Sequence, residues 1–333
     1  MIPTAQHGHT HGRHPADPDA FRHEALFFAG DEEFLDGTLP FLEQALLGDE
    51  GVMVATDGRK TELLRKCLGR SAAPVEFVDM ETVGRNPARI LPVWQGFLEE
   101  NLASGRGASG IGEPVWFGRS PAEVVECQFH ESLLNLAFED GPGWNLLCPY
   151  DASLLAEPVL EAARRSHPYL AVGDATDSGP GGGRRRRNEE FEHVVNVLPL
   201  SSALSEPRDA VDELEFEAHD LRAVRTFVRA RAEDAALDPG RTADLVLAVS
   251  ELAANSVRHG GGAGGLRTWR EPSAIVCEVR DAGLIDEPLV GRIKPAPDQI
   301  GGRGLWLVNH LCDLVEVRSS EEGTVVRVRM NLG

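Results

Sequence analysis

The sequence predicts an α/β protein built as two units, on three observations. Over residues 21–172, short apolar runs alternate with amphipathic segments. Residues 173–211 break that rhythm with a glycine–proline stretch and a run of arginines. Residues 212–333 then follow another order: one strand, two helices, two strands, a helix and a closing pair of strands. A chain of 333 residues can hold two cores of ordinary domain size.

In the first unit, Glu24–Phe28 reads as a strand, followed by Val52–Thr56, Val75–Val78, Pro114–Phe117 and Trp144–Pro149. Helices are expected between them at Glu32–Leu47, Arg59–Leu68, Ala88–Leu102, Pro121–Phe138 and Leu154–Arg165. Apolar strands alternating with helices imply a mostly parallel sheet covered on both faces. No Gly-x-x-x-x-Gly-Lys-Ser/Thr string occurs, so a Walker-type phosphate cradle is not expected. Glu113, Glu131 and Asp151 read as acids at the C-terminal sheet edge, where α/β domains bind ligands, or as helix-cap and surface acids. Cys148 beside Leu146 and Leu147 reads as a core cysteine, or as a ligand or redox sensor. The unit shows no metal-ligand spacing and no nucleophile–base pair, so it is expected to sense rather than to catalyse.

Residues 1–20 are polar and contain His7, His9, His11 and His14. They read as a disordered tail, or as a tract able to bind a transition metal. Gly179–Gly183 reads as a flexible stretch and Arg184–Arg187 as a solvated basic loop, with an edge strand at Val194–Leu200. The expected division is a tail at 1–20, a first domain at 21–195, a linker at 196–211 and a second domain at 212–333.

The formal net charge is −20, with 53 acids against 33 lysines and arginines. Such a surface repels phosphate backbones and anionic bilayers, which excludes direct nucleic-acid and membrane docking and leaves protein partners. Cys67, Cys127, Cys148, Cys277 and Cys312 form no zinc or redox motif and suit a reducing cytoplasm. No stretch has the apolar length of a signal peptide or membrane span, so a cytoplasmic location is expected.

In the second unit, Leu214–Glu217 reads as a strand and Leu221–Ala236 as a helix. A second helix starts at Pro239 and runs to His259. Strands follow at Leu266–Arg270 and Ala274–Asp281, a helix at Gly304–Cys312, and a hairpin at Leu314–Arg318 and Thr324–Met330. This order predicts a two-layer sandwich with its helices on one sheet face.

Four elements of this unit carry candidate chemistry. Glu251, Asn255 and His259 recur at i, i+4 and i+8, forming one polar stripe opposite Leu245, Ala248, Val249 and Leu252. An asparagine oxygen is a hard ligand suited to Mg²⁺, and a neighbouring carboxylate can take a hydroxyl proton. Asp281 shares the register of Ile275, Cys277 and Val279, which puts an acid on the core-facing side, where it needs a donor such as an adenine amino group, or else it closes the strand at the Ala282–Gly283 turn. Gly301–Gly302–Arg303–Gly304–Leu305 precedes a helix, an arrangement that favours anions. Thr324 lies on the face of Val326, Val328 and Met330, with Arg327 and Arg329 expected to point outward.

In this order the elements resemble the N, G1, G2 and G3 boxes of the GHKL ATPase superfamily, over about residues 212–333. The resemblance implies a Bergerat-type fold that binds ATP and Mg²⁺. By it, Asn255 holds Mg²⁺, with His259 on the same stripe. Asp281 reads adenine and Gly283 approaches the base. Gly302 and Gly304, with Arg303 and Leu305, cap the phosphates under a mobile lid, and Thr324 supports the adenine end. The stretch Asp244–His259 is similar to that of anti-sigma-factor serine kinases, in which the acid at the position of Glu251 is the catalytic base. The implied protein is a cytoplasmic ATP-dependent serine/threonine kinase, with an anti-sigma-factor antagonist or a sigma factor as partner and a homodimer as its assembly. Leu284–Ile285–Asp286 departs from the pattern, since a further glycine is common there.

Two alternatives stand beside this reading. One is a histidine kinase, which needs a phosphoacceptor histidine on a helical hairpin that residues 173–211 are too rich in Gly, Pro and Arg to form. Its candidate histidines are His23, His130 and His193. The other is a non-catalytic module whose nucleotide shapes a partner-binding surface.

In the first unit, Gly112–Trp116, His130–Asn135, Leu147–Asp151 and His167–Pro168 resemble the MEDS sensory domain over about residues 21–172. That resemblance implies a RecA-like α/β fold and a small-molecule signal.

Overall fold

The computed structural model arranges the chain on two β-sheets and describes residues 20–172, 184–192, 202–208, 210–295 and 302–332. The first sheet is built from β1 (Arg22–Phe28), β2 (Gly51–Thr56), β3 (Val75–Asp79), β4 (Ala108–Gly112), β5 (Asn145–Asp151), β6 (Tyr169–Val172) and β7 (Arg184–Arg187). Its strand order is β3-β2-β4-β5-β1-β6-β7, parallel throughout except for the antiparallel β6–β7 pair. The helices are α1 (Gly30–Leu47), α2 (Gly58–Leu68), the short α3 (Met80–Val83), α4 (Ile90–Ala103), α5 (Pro121–Phe138) and α6 (Glu157–Ser166).

Alternate strand residues divide between two cores. Leu26, Phe28, Val52 and Val54 pack with Leu42 of α1 and Leu64 of α2. Ala25, Met53, Leu146 and Cys148 pack on the other face with Trp94 of α4 and Leu134 of α5. Burial on both faces explains why these strands read as continuous apolar runs.

The strand expected at Pro114–Phe117 is absent; the strand there is β4, Ala-Ser-Gly-Ile-Gly. The Trp94 indole takes the room that side chains would need, because a Cβ on Gly110 would lie 2.6 Å from it and one on Gly112 2.8 Å. The sequence signal was therefore weak where the packing is tightest. Arg184–Arg187 is not a loop but the edge strand β7, whose arginines pair in register with Tyr169–Val172. Charged side chains on an edge discourage further strand addition. The histidine tail, Gly179–Gly183 and Val194–Leu200 lie outside the described residues.

The second sheet contains β8 (Asp212–Glu217), β9 (Ala263–Glu271), β10 (Ala274–Asp281), β11 (Leu314–Ser320) and β12 (Gly323–Asn331). It is antiparallel throughout, in the order β11-β12-β10-β9-β8. Helices α7 (Leu221–Asp234), α8 (Pro239–His259) and α9 (Arg303–Leu311) cover one face. Val224 and Val228, Leu245 and Leu252, and Val308 meet Ile275, Cys277, Val279, Val326 and Val328 there. Helix α8 starts where Asp238 accepts the Gly240 and Arg241 amides and Pro239 sets the first turn.

Arg327, expected to point outward into solvent, is buried on the other sheet face. It lies 2.6 Å from Glu278 and 5.0 Å from the Trp269 ring centroid, and it donates to the Ser205 carbonyl. The connecting segment crosses this face and shields it. Arg329, the other arginine expected outward, is paired with Glu271 and Glu316.

The two α/β units touch through α5 and the turn before α4. Glu126 on α5 accepts from Arg292 at 2.9 Å and from Arg318 at 2.8 Å, all three side chains being buried. Leu289 packs against Phe129 and Leu133, and the Arg292 guanidinium lies over the Phe129 ring. Arg89 donates to the Asn309 and Cys312 carbonyls, and Asn86 to the Asn309 carbonyl, so the first unit caps the C-terminus of α9. No helix among the described residues is long and apolar enough to cross a membrane.

Gly110→Ala forces a methyl group into the Trp94 indole and is expected to cost about 1–3 kcal/mol. Gly96→Ala, at a helical position with nothing within 4 Å beyond its own helix, is expected to be neutral or to stabilise by up to about 1 kcal/mol. Urea unfolding of both variants checks the contrast.

Candidate functional site

Helix α8 carries Glu251 and Asn255 half-buried on one stripe, with His259 exposed at its end. Across from them, Gly304 lies in the first turn of α9. A Cβ there would stand 3.1 Å from Asn255 Nδ2 and 3.3 Å from Glu251 Oε2, so glycine lets the two helices bring these groups together. Gly302 is the N-cap of α9 in a left-handed conformation, φ +77°. The helix begins without a side-chain cap, and the positive end of its dipole lies at this start. Arg303 is exposed beside it, and Leu305 is buried in the core. Gly301 lies outside the described residues.

Asp281 ends β10 next to this region. Its Oδ2 accepts from Ser256 Oγ at 2.6 Å, and its Oδ1 accepts from the Gly283 amide at 2.8 Å. Each carboxylate oxygen still has a lone pair to offer a ligand donor. Gly260 abuts the Asp281 carboxylate so closely that any Cβ would displace it. A Cβ on Gly283 would stand 2.9 Å from the His259 carbonyl oxygen.

Thr324 pairs with Asp281 across β10 and β12, and its hydroxyl donates to the Gly283 carbonyl at 2.8 Å. Ser319 Oγ is 2.7 Å from Thr324 Oγ1 and accepts from the Ile285 amide at 2.8 Å. A relay of hydroxyls therefore ties the Asp281–Gly283 turn to Ile285 and the segment it opens. Sequence reasoning missed Ser256 and Ser319. Ser256 sits on the buried side of α8, and only its neighbour Asn255 hinted at a site.

In the first unit, Glu113 and Asp57 follow β4 and β2 at the C-terminal sheet edge. Lys60 Nζ reaches both, at 2.6 Å and 3.0 Å. Burial pushes the Glu113 carboxyl up to about 7, although the Lys60 ammonium pulls against it. Burial lowers Lys60, but the Glu113 and Asp57 carboxylates outweigh it and the net shift is upward. Asp151 closes its own turn by accepting from the Ser153 amide at 3.0 Å.

Glu131 is not at this edge. It lies beneath α5, buried with His23, Cys148 and His167, their donor atoms all within 4.8 Å of one another. The sequence shows no metal-ligand spacing here, and the set is brought together only by the fold. Residues 23, 131, 148 and 167 are too far apart in sequence for spacing to reveal them.

Comparison with known proteins gives two family matches. Residues 22–168 match the MEDS model, "MEthanogen/methylotroph, DcmR Sensory domain". Residues 214–330 match the "Histidine kinase-like ATPase domain". No curated protein matches the chain.

Among solved structures, the RsbU and RsbW domains of Rv1364c from Mycobacterium tuberculosis align at 19% identity with a TM-score of 0.28, over 36% of this chain and 32% of that one. The histidine kinase AdeS of Acinetobacter baumannii aligns at 11% identity with a TM-score of 0.23, over 38% of this chain and 70% of that one. The catalytic domain of histidine kinase ThkA aligns at 16% identity with a TM-score of 0.24, over 36% and 97%. This chain thus spans about a third of the mycobacterial chain's length. It carries a MEDS sensory domain followed by a kinase-like ATPase domain of GHKL fold.

Lys60→Met removes the ammonium beside Glu113, and the carboxyl moves above its present value of about 7. The folded chain then holds a proton that the unfolded chain loses above its ordinary value of 4.5. Stability should therefore fall as pH rises from 4.5 through 7. Adding Glu113→Gln should flatten that slope, which urea melts across the range will measure.

Proposed function

We propose that this chain is an ATP-dependent protein serine/threonine kinase of the anti-sigma-factor type, governed by its sensory domain. The observation that carries the reading is the meeting of Glu251 and Asn255 against Gly304, with Asp281 and its glycines alongside. These residues fit a nucleotide with Mg²⁺: an amide oxygen for the ion, a carboxylate acceptor for an adenine amino group, and the positive end of a helix dipole for phosphates. Bound ATP would supply the transferable phosphoryl group.

Within this reading, Asn255 holds Mg²⁺ and Asp281 orients the base, with Gly283 and Thr324 shaping the turn behind it. His259 stands at the rim of the same stripe. Gly302, Arg303, Gly304 and Leu305 bring the start of α9 to the phosphates. Glu251, one helical turn before Asn255, accepts the proton of an incoming serine or threonine hydroxyl. The partner is a soluble protein, an anti-sigma-factor antagonist or a sigma factor, and the kinase works in the cytoplasm as a homodimer. A net charge of −20 supports a protein partner over nucleic acid. The histidine-kinase alternative needs an accessible acceptor, yet His23 and His130 are both buried. His193 lies outside the described residues.

Regulation runs through α5. Arg292 belongs to the stretch between Asp281 and α9 that serves as the lid, and Glu126 holds it against the sensory domain. Its guanidinium cannot serve the nucleotide's phosphates while Glu126 keeps it. A signal that moves α5 therefore changes the lid available to ATP.

Asp281→Asn should weaken ATP about 10–150-fold, the scale of one hydrogen bond to a charged group, read by calorimetry. Glu251→Gln should keep ATP binding and lose transfer by about 10²–10⁴-fold in single turnovers with labelled ATP and co-purifying partner proteins. The product should be acid-stable phosphoserine or phosphothreonine. Acid-labile phosphohistidine on this chain would replace the reading with a histidine kinase, and ATP binding without any transfer would replace it with a nucleotide-shaped binding module.

A further inference from the structure

The buried cluster under α5 has a chemistry that hydrogen bonding alone leaves incomplete. His23 comes from β1, and Cys148 from β5, where it stands in register with Ala25. Glu131 comes from α5, and His167 closes α6. Each side chain is at most 1% exposed.

The outer nitrogens of both imidazoles are already committed. His167 Nδ1 lies 2.7 Å from the Ala163 carbonyl, which can only accept, so Nδ1 carries the hydrogen. His23 Nδ1 lies 3.1 Å from Asn135 Oδ1. The Asn135 amide is oriented by its Nδ2, which donates to the Ser166 carbonyl at 2.7 Å. His23 Nδ1 therefore also donates, and both Nε2 atoms turn lone pairs inward.

Those lone pairs face a carboxylate. Glu131 Oε2 is 2.9 Å from His23 Nε2 and 3.0 Å from His167 Nε2. By hydrogen-bond geometry, Glu131 Oε1 and Oε2 and His167 Nε2 nonetheless find no partner among the described residues. The Cys148 thiol, 3.3 Å from His23 Nε2, supplies a hydrogen to the group. Acceptors packed this closely and this deeply call for a cation among them.

We infer that His23, Glu131, Cys148 and His167 bind one divalent transition-metal ion of the zinc class. Two neutral imidazoles, a carboxylate and a thiolate make a four-donor N/O/S set typical of tetrahedral sites. Donors around such an ion stand about 3.3–3.6 Å apart for bonds of about 2.0–2.3 Å, so the closest pairs must part by tenths of an ångström and the widest, within 4.8 Å, draw in by about 1 Å. One carboxylate and one thiolate balance the ion's charge, so the buried site is neutral overall. The thiol proton leaves to solvent on binding, and no electron is transferred. Mg²⁺ and Ca²⁺ are disfavoured, since they require shells of oxygen ligands. Asn135 and the Ala163 carbonyl are the outer partners that hold each ring for the metal. Helix α5, which supplies Glu131, also supplies Glu126 to the lid, so the site braces the helix on which the ATPase domain rests.

The test uses the full chain with His7, His9, His11 and His14 changed to glutamine, which removes the competing tail. After chelator stripping it is titrated with Co²⁺ and then Zn²⁺. One equivalent of Co²⁺ should bind with a thiolate-to-cobalt charge-transfer band, and Zn²⁺ should displace it. Cys148→Ser should abolish the band. Asn135→Ala, which leaves all four ligands in place, should weaken binding about 10–100-fold while keeping the band. A chain with native circular dichroism that binds no Co²⁺ or Zn²⁺, or keeps the band after Cys148→Ser, would overturn the site. ATP binding is not part of the readout, so the outcome is independent of the kinase reading.

Discussion

A buried carboxylate, that of Glu126, anchors the contact between the two halves of this molecule. Glu126 is buried between Arg292 and Arg318, and neither guanidinium can lose it without leaving a charge in a poorly solvated place. Breaking a buried pair of this kind costs about 3–5 kcal/mol. The contact fixes α5 against the edge strand β11 and against the segment that precedes α9. Arg89 and Asn86 fix the other end of α9 by taking its terminal carbonyls. The position of α9, and with it the approach of Gly304 to Asn255 and Glu251, is thus set partly by the sensory domain.

Close approach is the common physical theme of the ATPase-domain site. Gly260, Gly283 and Gly304 each stand where a side chain would strike Asp281, the His259 carbonyl or Asn255. Hydroxyls of Ser256, Ser319 and Thr324 then lock the turn these glycines allow. Much of this was legible, because periodicity specifies long amphipathic elements well. The helix read at Pro239–His259 and the strand read at Ala274–Asp281 are observed with those bounds. Both have a strong apolar stripe and clear end signals.

The rest was hidden for identifiable reasons. Strand β4 is made of small residues because Trp94 fills its face, so it lacked the apolar signature of a strand. Arg327 looked solvent-facing by alternation, but the connecting segment around Ser205 and the Glu278 carboxylate bury it. The His23–Glu131–Cys148–His167 set is assembled only by the parallel register of β1 and β5 beneath two helices. Side-chain chemistry of that kind follows from tertiary packing, which local spacing does not encode.

In the proposed kinase, the sensory domain withholds Arg292 from the nucleotide through Glu126. The direct measurement is ATP affinity by calorimetry on the full chain and on Glu126→Gln, side by side. Neutralising the carboxylate should release Arg292 and tighten ATP binding, within the roughly 5–150-fold range of coupling between sites. Equal affinities in two folded proteins, or weaker binding by Glu126→Gln, would contradict the account.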